Sequence, residues 1–140
     1  MTKEIWINLP VKDIQRSKQF FTEIGFSLNP HLADSEDKAG LIIGDKKVVV
    51  MLFPEPTFKG FTGNEIPNPV HATQALFSID AESKEEVDEL VEKVVKAGGT
   101  IFGQPEDRGG MYGAGFADLD GHRWNVLYMD LSVMQQPEEV

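Results

Sequence analysis

A strand, a helix and three further strands can be traced along the first half of this sequence, and then traced again along the second. An internal repeat limits a chain to architectures built from two copies of one unit, each able to cover a sheet with a helix. In the first half, Ile5, Ile7, Leu9 and Val11 alternate with Trp6, Asn8 and Pro10, the period of a half-buried strand. Pro10 has no N–H to give a ladder, which places it at an edge or a strand end. Asp13 suits a helix N-cap, Ile14, Ser17, Phe21 and Ile24 recur at helical spacing, and Gly25 is a stop. Residues 26–28, 41–43 and 48–53 read as strands, the last two joined by a tight turn at Gly44-Asp45, with a polar loop over 33–38.

In the second half, Ala75, Phe77 and Ile79 alternate with Gln74, Leu76 and Ser78 over 74–80. Ser83 and Glu86 form a capping box, and Val87, Leu90, Val91, Val94 and Val95 make the buried stripe of a helix ended by Gly98-Gly99. Residues 100–102 read as a short strand, 109–115 as a glycine-rich approach to the next one, and Asp120-Gly121 as the turn into 122–129. Trp6 lines up with Gln74 and Met51 with Asn125, at offsets of 68 and 74, the longer second helix accounting for the drift. The expectation is one α+β domain: module one at about 4–53, a connecting loop at 54–70, module two at about 71–130 and a tail at 131–140. The loop holds four of the eight prolines together with Phe58, Phe61 and Ile66; long loops in compact domains often cover a site.

Composition narrows the chemistry. With no cysteine there is no disulfide, thiol nucleophile or thiolate metal site, which suits a reducing cytoplasm. The N-terminus lacks the basic start and apolar stretch of a signal peptide, and no apolar run reaches membrane-spanning length. A formal charge of −10 argues against nucleic acid and anionic membranes; it serves solubility and suits a cationic ligand.

Leu9-Pro10-Val11-Lys12-Asp13, then a helix carrying Ser17 and Phe20-Phe21, then Gly25-Phe26, resembles the vicinal-oxygen-chelate superfamily. That superfamily includes glyoxalase I, bleomycin-resistance proteins, fosfomycin-resistance enzymes and extradiol dioxygenases. The stretch from Phe116 through Asp118-Leu119-Asp120-Gly121 to Trp124 looks like its closing turn and strand, with Leu119 where a proline is usual, and Ala97-Gly98-Gly99 fits the end of its second helix. The resemblance covers about residues 4–130, and Asn8-Leu9-Pro10-Val11 with Met111-Tyr112-Gly113 is similar to a glyoxalase-like branch. It implies two βαβββ modules forming a cupped mixed sheet around a central cleft. In the enzymes the cleft holds a divalent metal, ligated by His, Gln or Glu from the first and last strand of each module, that acts as a Lewis acid on chelated substrate oxygens.

The corresponding positions here are Trp6, Met51, Gln74 and Asn125. Indole only donates, thioether is soft, and two neutral amides bring no charge to a hard cation. None of the four has Asp, Glu or His within one residue, and His31, His71 and His122 fall elsewhere. The resemblance thus implies no metal or other cofactor, and a cleft lined by Trp6, Asn8, Met51, Gln74, Arg123 and Asn125, with Leu127 on the face of Asn125 and Phe58 and Phe61 as a lid. Such a lining suits a neutral or aromatic small molecule; the blander possibility is that Trp6 and Met51 plug a vestigial cleft. Tyr112 is the one weak catalytic candidate, as a phenol on the glycine-rich segment. Arg108 can bind an anion or simply be a solvated loop charge, and Asp118 with Asp120 is better explained by turn formation than by acid–base work. Metal-free ligand binding leads; the alternative is a metal-dependent lyase, isomerase or dioxygenase, followed by a metal-free enzyme and an interaction module with a dead cleft. Family precedent implies a homodimer.

Overall fold

The computed structural model describes residues 1–134. Tertiary contacts divide the chain into two units, Met1–Asn68 and Pro69–Val140. In the first, the Asp13 carboxylate accepts the Arg16 N–H at 3.1 Å, and helix α1 (Ile14–Glu23) starts there. It ends at Ile24, with Gly25 at φ 102°, a conformation that favours glycine. Strands β1 (Trp6–Val11), β2 (Ser27–Leu28), β3 (Ala39–Ile43) and β4 (Val48–Pro54) form a sheet of order β1-β4-β3-β2, in which β1 runs parallel to β4 and the other neighbours are antiparallel. β1 is therefore an edge strand, where Pro10 is tolerated.

The pleat separates two faces. Leu9, Val11, Leu41, Val50 and Leu52 are buried with Ile14, Phe20, Phe21 and Ile24 of α1. Trp6, Asn8, Met51 and Phe53 lie on the opposite face, which α1 does not cover; Trp6 is 57% exposed. The strand begins one residue later than the alternation suggests, and Ile5, expected on the buried face, is 81% exposed.

The second unit repeats this plan. β5 (Leu76–Asp80), β6 (Thr100–Arg108), β7 (Met111–Ala117) and β8 (Arg123–Met129) are ordered β5-β8-β7-β6, again with one parallel pair, β5 with β8. The Ser83 hydroxyl accepts the Glu86 N–H at 3.1 Å at the start of helix α3 (Lys84–Ala97), which follows the shorter α2 (Glu55–Thr62) in the chain. Val87 and Val94 are buried on it, with Leu90 and Val91 packing beside Ala81, Ala114 and Val126. Trp124 stacks on Phe116 at 6.3 Å, and both are buried.

Several expectations need correcting. Residues 54–70 are not all loop: α2 (Glu55–Thr62) forms because Pro56 fits a first helical turn, Glu55 favours the positive end of the helix dipole, and Gly63 ends it at φ 68°. Val95 is 58% exposed, at the margin of the helical stripe. β6 runs on to Arg108, accommodating Pro105 on an edge strand whose register shifts on either side of Gly103. The glycine run lies largely within β7 and is not merely an approach to it. Of the tail, Leu131–Met134 is helical (α4), and residues 135–140 lie outside the described residues.

The pairing also revises the repeat. Trp6 stands opposite Val49 while Leu76 stands opposite Arg123, and Asn8 opposite Met51 while Ser78 is opposite Asn125. Gly40 faces Met51 as Gly115 faces Asn125. Keeping Met51 with Asn125 therefore matches Trp6 with Leu76, as do the N-caps Asp13 and Ser83. Gln74 lies two residues before β5 and is exposed.

Candidate functional site

The face of the second sheet turned away from α3 carries Arg123, Asn125 and Leu127 on β8 and Met111, Gly113 and Gly115 on β7. Side-chain atoms are missing here where they would obstruct. A Cβ on Gly115 would lie 2.5 Å from the Phe102 ring, and one on Gly113 would lie 2.5 Å from Leu127 Cδ2 and 2.8 Å from the Val126 carbonyl. Glycine at both positions lets Phe102 and Leu127 lie flat across β7. Between them is a hollow of about 290 Å³ lined by Phe102, Met111, Gly113, Gly115, Asn125 and Leu127.

Two polar atoms at this face are unsatisfied. Asn125 Oδ1 and Arg123 Nε are buried and have no hydrogen-bond partner. Buried polar groups almost always have one, because each unpaired group costs about 1–3 kcal/mol. The Arg123 guanidinium instead lies over the Phe102 ring, 4.2 Å from its centroid.

On the first unit, Trp6, Asn8 and Met51 share the uncovered sheet face. Met51 Sδ crosses Gly40, 3.2 Å from where a Cβ would be. Phe61 of α2 meets Phe53 edge to face at 5.0 Å, and Phe58 is half-buried on the same helix, so the two expected lid residues stand on a helix. A larger hollow of about 560 Å³ lies along α1 and residues 28–40. The Lys18 ammonium beside it is fully used, donating to the carbonyls of Leu32 (3.1 Å), Ala33 (3.0 Å) and Ser35. That hollow offers no unsatisfied group comparable to Asn125.

Tyr112 points to the other side of its sheet. It packs in the α3 core, donates to Asp88 at 2.7 Å, and has Lys84 5.6 Å from its ring centroid. The Asp88 hydrogen bond, with smaller help from burial and neighbouring carboxylates, raises its pKa, which opposes a role as proton donor near neutrality. Asp118 is structural: Oδ1 accepts from the N–H groups of Asp120 and His122 at 3.0 Å each, and Oδ2 accepts from Trp124 Nε1 at 3.1 Å. Arg108 is paired with Glu106 at 2.9 Å, on the exposed end of β6. His31 and His71 are exposed.

The residues present do not fit the metal of the related enzymes. Trp6, Met51 and Asn125 lack a charged donor, and Leu76, the strand equivalent of Trp6, is apolar. Among the described residues, no three His, Cys, Asp or Glu side chains cluster to hold a metal ion. Sequence reasoning named Arg123 and Asn125, which lie on this face, and did not name Phe102, Gly113 and Gly115 beside them. Their signal was the glycine spacing of two, which on a strand clears one face.

Residues 5–126 match the glyoxalase/bleomycin resistance protein/dioxygenase superfamily. No curated protein matches the chain. Among solved structures, a hypothetical protein from S. aureus is 34% identical, with a TM-score of 0.82 over 91% of this chain and 95% of that one. A family enzyme from Burkholderia phytofirmans is 19% identical (TM-score 0.73; 89% and 96% covered). A genomically encoded fosfomycin resistance protein from Listeria monocytogenes is 18% identical (TM-score 0.63; 94% and 97% covered). The last two show a shared fold. With the paired βαβββ units, the chain belongs to the glyoxalase/bleomycin resistance protein/dioxygenase superfamily.

Proposed function

We propose that this chain is a metal-free small-molecule-binding member of its superfamily, with its ligand seated on the uncovered face of the second sheet. The observation that carries this reading is Asn125, which lines a hollow of about 290 Å³ and whose buried Oδ1 has no partner. The hollow is of ligand scale and combines apolar walls with one fixed polar group, the usual make-up of a small-molecule site. A donor from a ligand would relieve the unpaired oxygen. On the first unit, taken by itself, Trp6, Asn8 and Met51 are proposed as a second ligand-contacting surface, with Phe58 and Phe61 as the residues that cover it. Exposed Trp6, Leu76 and Phe102 support a homodimer, which sedimentation equilibrium tests.

The test of binding is a thermal-stabilisation screen of small polar and aromatic compounds on the full chain, repeated on Asn125→Ala. Compounds that bind only the folded form stabilise it by RT ln(1 + [L]/Kd) and raise Tm accordingly. The expected result is a set of stabilisers whose affinity falls by about tenfold or more in Asn125→Ala, about 1.4 kcal/mol. Stabilisers that act equally on both proteins would place binding elsewhere.

A further inference from the structure

Arg123 adds a second requirement to the same ligand. Resting on the pocket proposed above, we infer that the site selects a small organic carboxylate that also carries an N–H or O–H donor on a flat body.

Arg123 has no carboxylate or hydrogen-bonding partner among the described residues, and its Nε is buried. Arg108, which lines the hollow, is already paired with Glu106, whereas Arg123 stands behind the lining, over the Phe102 ring. Stacking on Phe102 occupies one face of the guanidinium. Guanidinium N–H groups lie in the plane, so with one face stacked and Nε buried it is the Nη end that can grip a carboxylate with two parallel bonds. Arg123 and Asn125 are two residues apart on one face of β8, about 7 Å along a strand. The pair thus presents a cationic donor and a neutral acceptor side by side. Phe102 and Leu127 reach over Gly115 and Gly113 and give the hollow apolar walls against which a planar group can lie. The net charge of −10 repels anions at long range, so recognition depends on this local cation, and salt screening affects it little once the ligand is seated.

The experiment titrates the isotope-labelled full chain with three probes to about 10 mM, a range that detects even millimolar affinity, and follows the backbone amide signals of Gly113, Gly115 and Asn125. Hippurate has the carboxylate, the N–H and the ring. N-benzoylglycinamide lacks the charge, and N-benzoylsarcosine lacks the N–H. The expected result is saturable shifts with hippurate, and binding weaker by about tenfold or more for each control. Arg123→Gln should lose hippurate to the same degree, with Arg123→Lys intermediate because it keeps the charge but not the fork. Comparison of probes on the unaltered chain needs no variant to fold. If the carboxamide binds as well as hippurate, or Arg123→Gln binds it unchanged, the carboxylate inference fails and the pocket stands. If hippurate moves nothing while a compound from the stabilisation screen moves these signals, the same conclusion follows. If neither moves them, both fail.

Discussion

Asp118 turns a hairpin and anchors a core at once. Its two oxygens collect three N–H donors, two from the turn and one from the buried Trp124 indole. An amide at this position must turn an NH₂ toward a donor. Asp118→Asn should therefore destabilise the chain by about 1–3 kcal/mol, measured by urea unfolding with the slope unchanged. Burial raises the Asp118 pKa above its ordinary 3.8, while His122 and the Trp124 hydrogen bond pull it down without prevailing. The folded chain then holds that proton more tightly than the unfolded one. This contribution to stability is complete below the ordinary carboxylate value and is lost as pH rises through the raised one. Unfolding free energies taken across the acidic range should show a falling component in the native chain that is absent in Asp118→Asn. Asp118 as a turn residue was legible from Asp-Leu-Asp-Gly; its bond to Trp124 was not, because alternation gives the face of a side chain but not what its polar end reaches.

At the scale of elements, the glycines of β7 set the shape of the hollow beside them. Gly115→Ala should cost about 1–3 kcal/mol by driving a methyl into the Phe102 ring. The double variant with Phe102→Ala should recover part of that loss. Gly113→Ala should cost more, since it also meets the Val126 carbonyl, a backbone atom that cannot rotate away. Differential scanning calorimetry ranks the three, and equal losses for Gly113 and Gly115 would contradict this picture. On α1, Lys18→Met should remove the ammonium that ties the carbonyls of residues 32, 33 and 35 together, leaving the Ser35 N–H on Leu32 and Gln15 on Ser35, and hydrogen exchange should quicken over 29–38. The helices α1 and α3 and most strands were readable from caps and periodicity. The two-residue slip that put Gln74 in place of Leu76 was not, because a slip of two preserves every face; the N-caps Asp13 and Ser83 carry the register that alternation lacks. α2 was hidden by its prolines, which mark a break when read as composition and a first helical turn when read by position.

For the whole molecule, the two modules share strand order, cap position and the glycine opposite the site-facing residue of the last strand. What differs is the chemistry placed on those equivalent positions: Trp6 and Met51 in one, Leu76 and Asn125 in the other. The repeat and the fold followed from the sequence, and so did the unsuitability of these side chains for a hard cation. The orphaned oxygen and guanidinium did not, since satisfaction of a polar group depends on all its neighbours at once. Among the described residues no helix is long and apolar enough to cross a membrane. The proposed function is ligand binding without a metal. Measuring the metal content of tag-free protein, with Tm recorded after adding nickel, zinc, manganese or EDTA, tests it first. Metal-free binding predicts substoichiometric metal and no shift in Tm with any of them; one tightly held ion per chain, with Tm falling on chelation, would sink it.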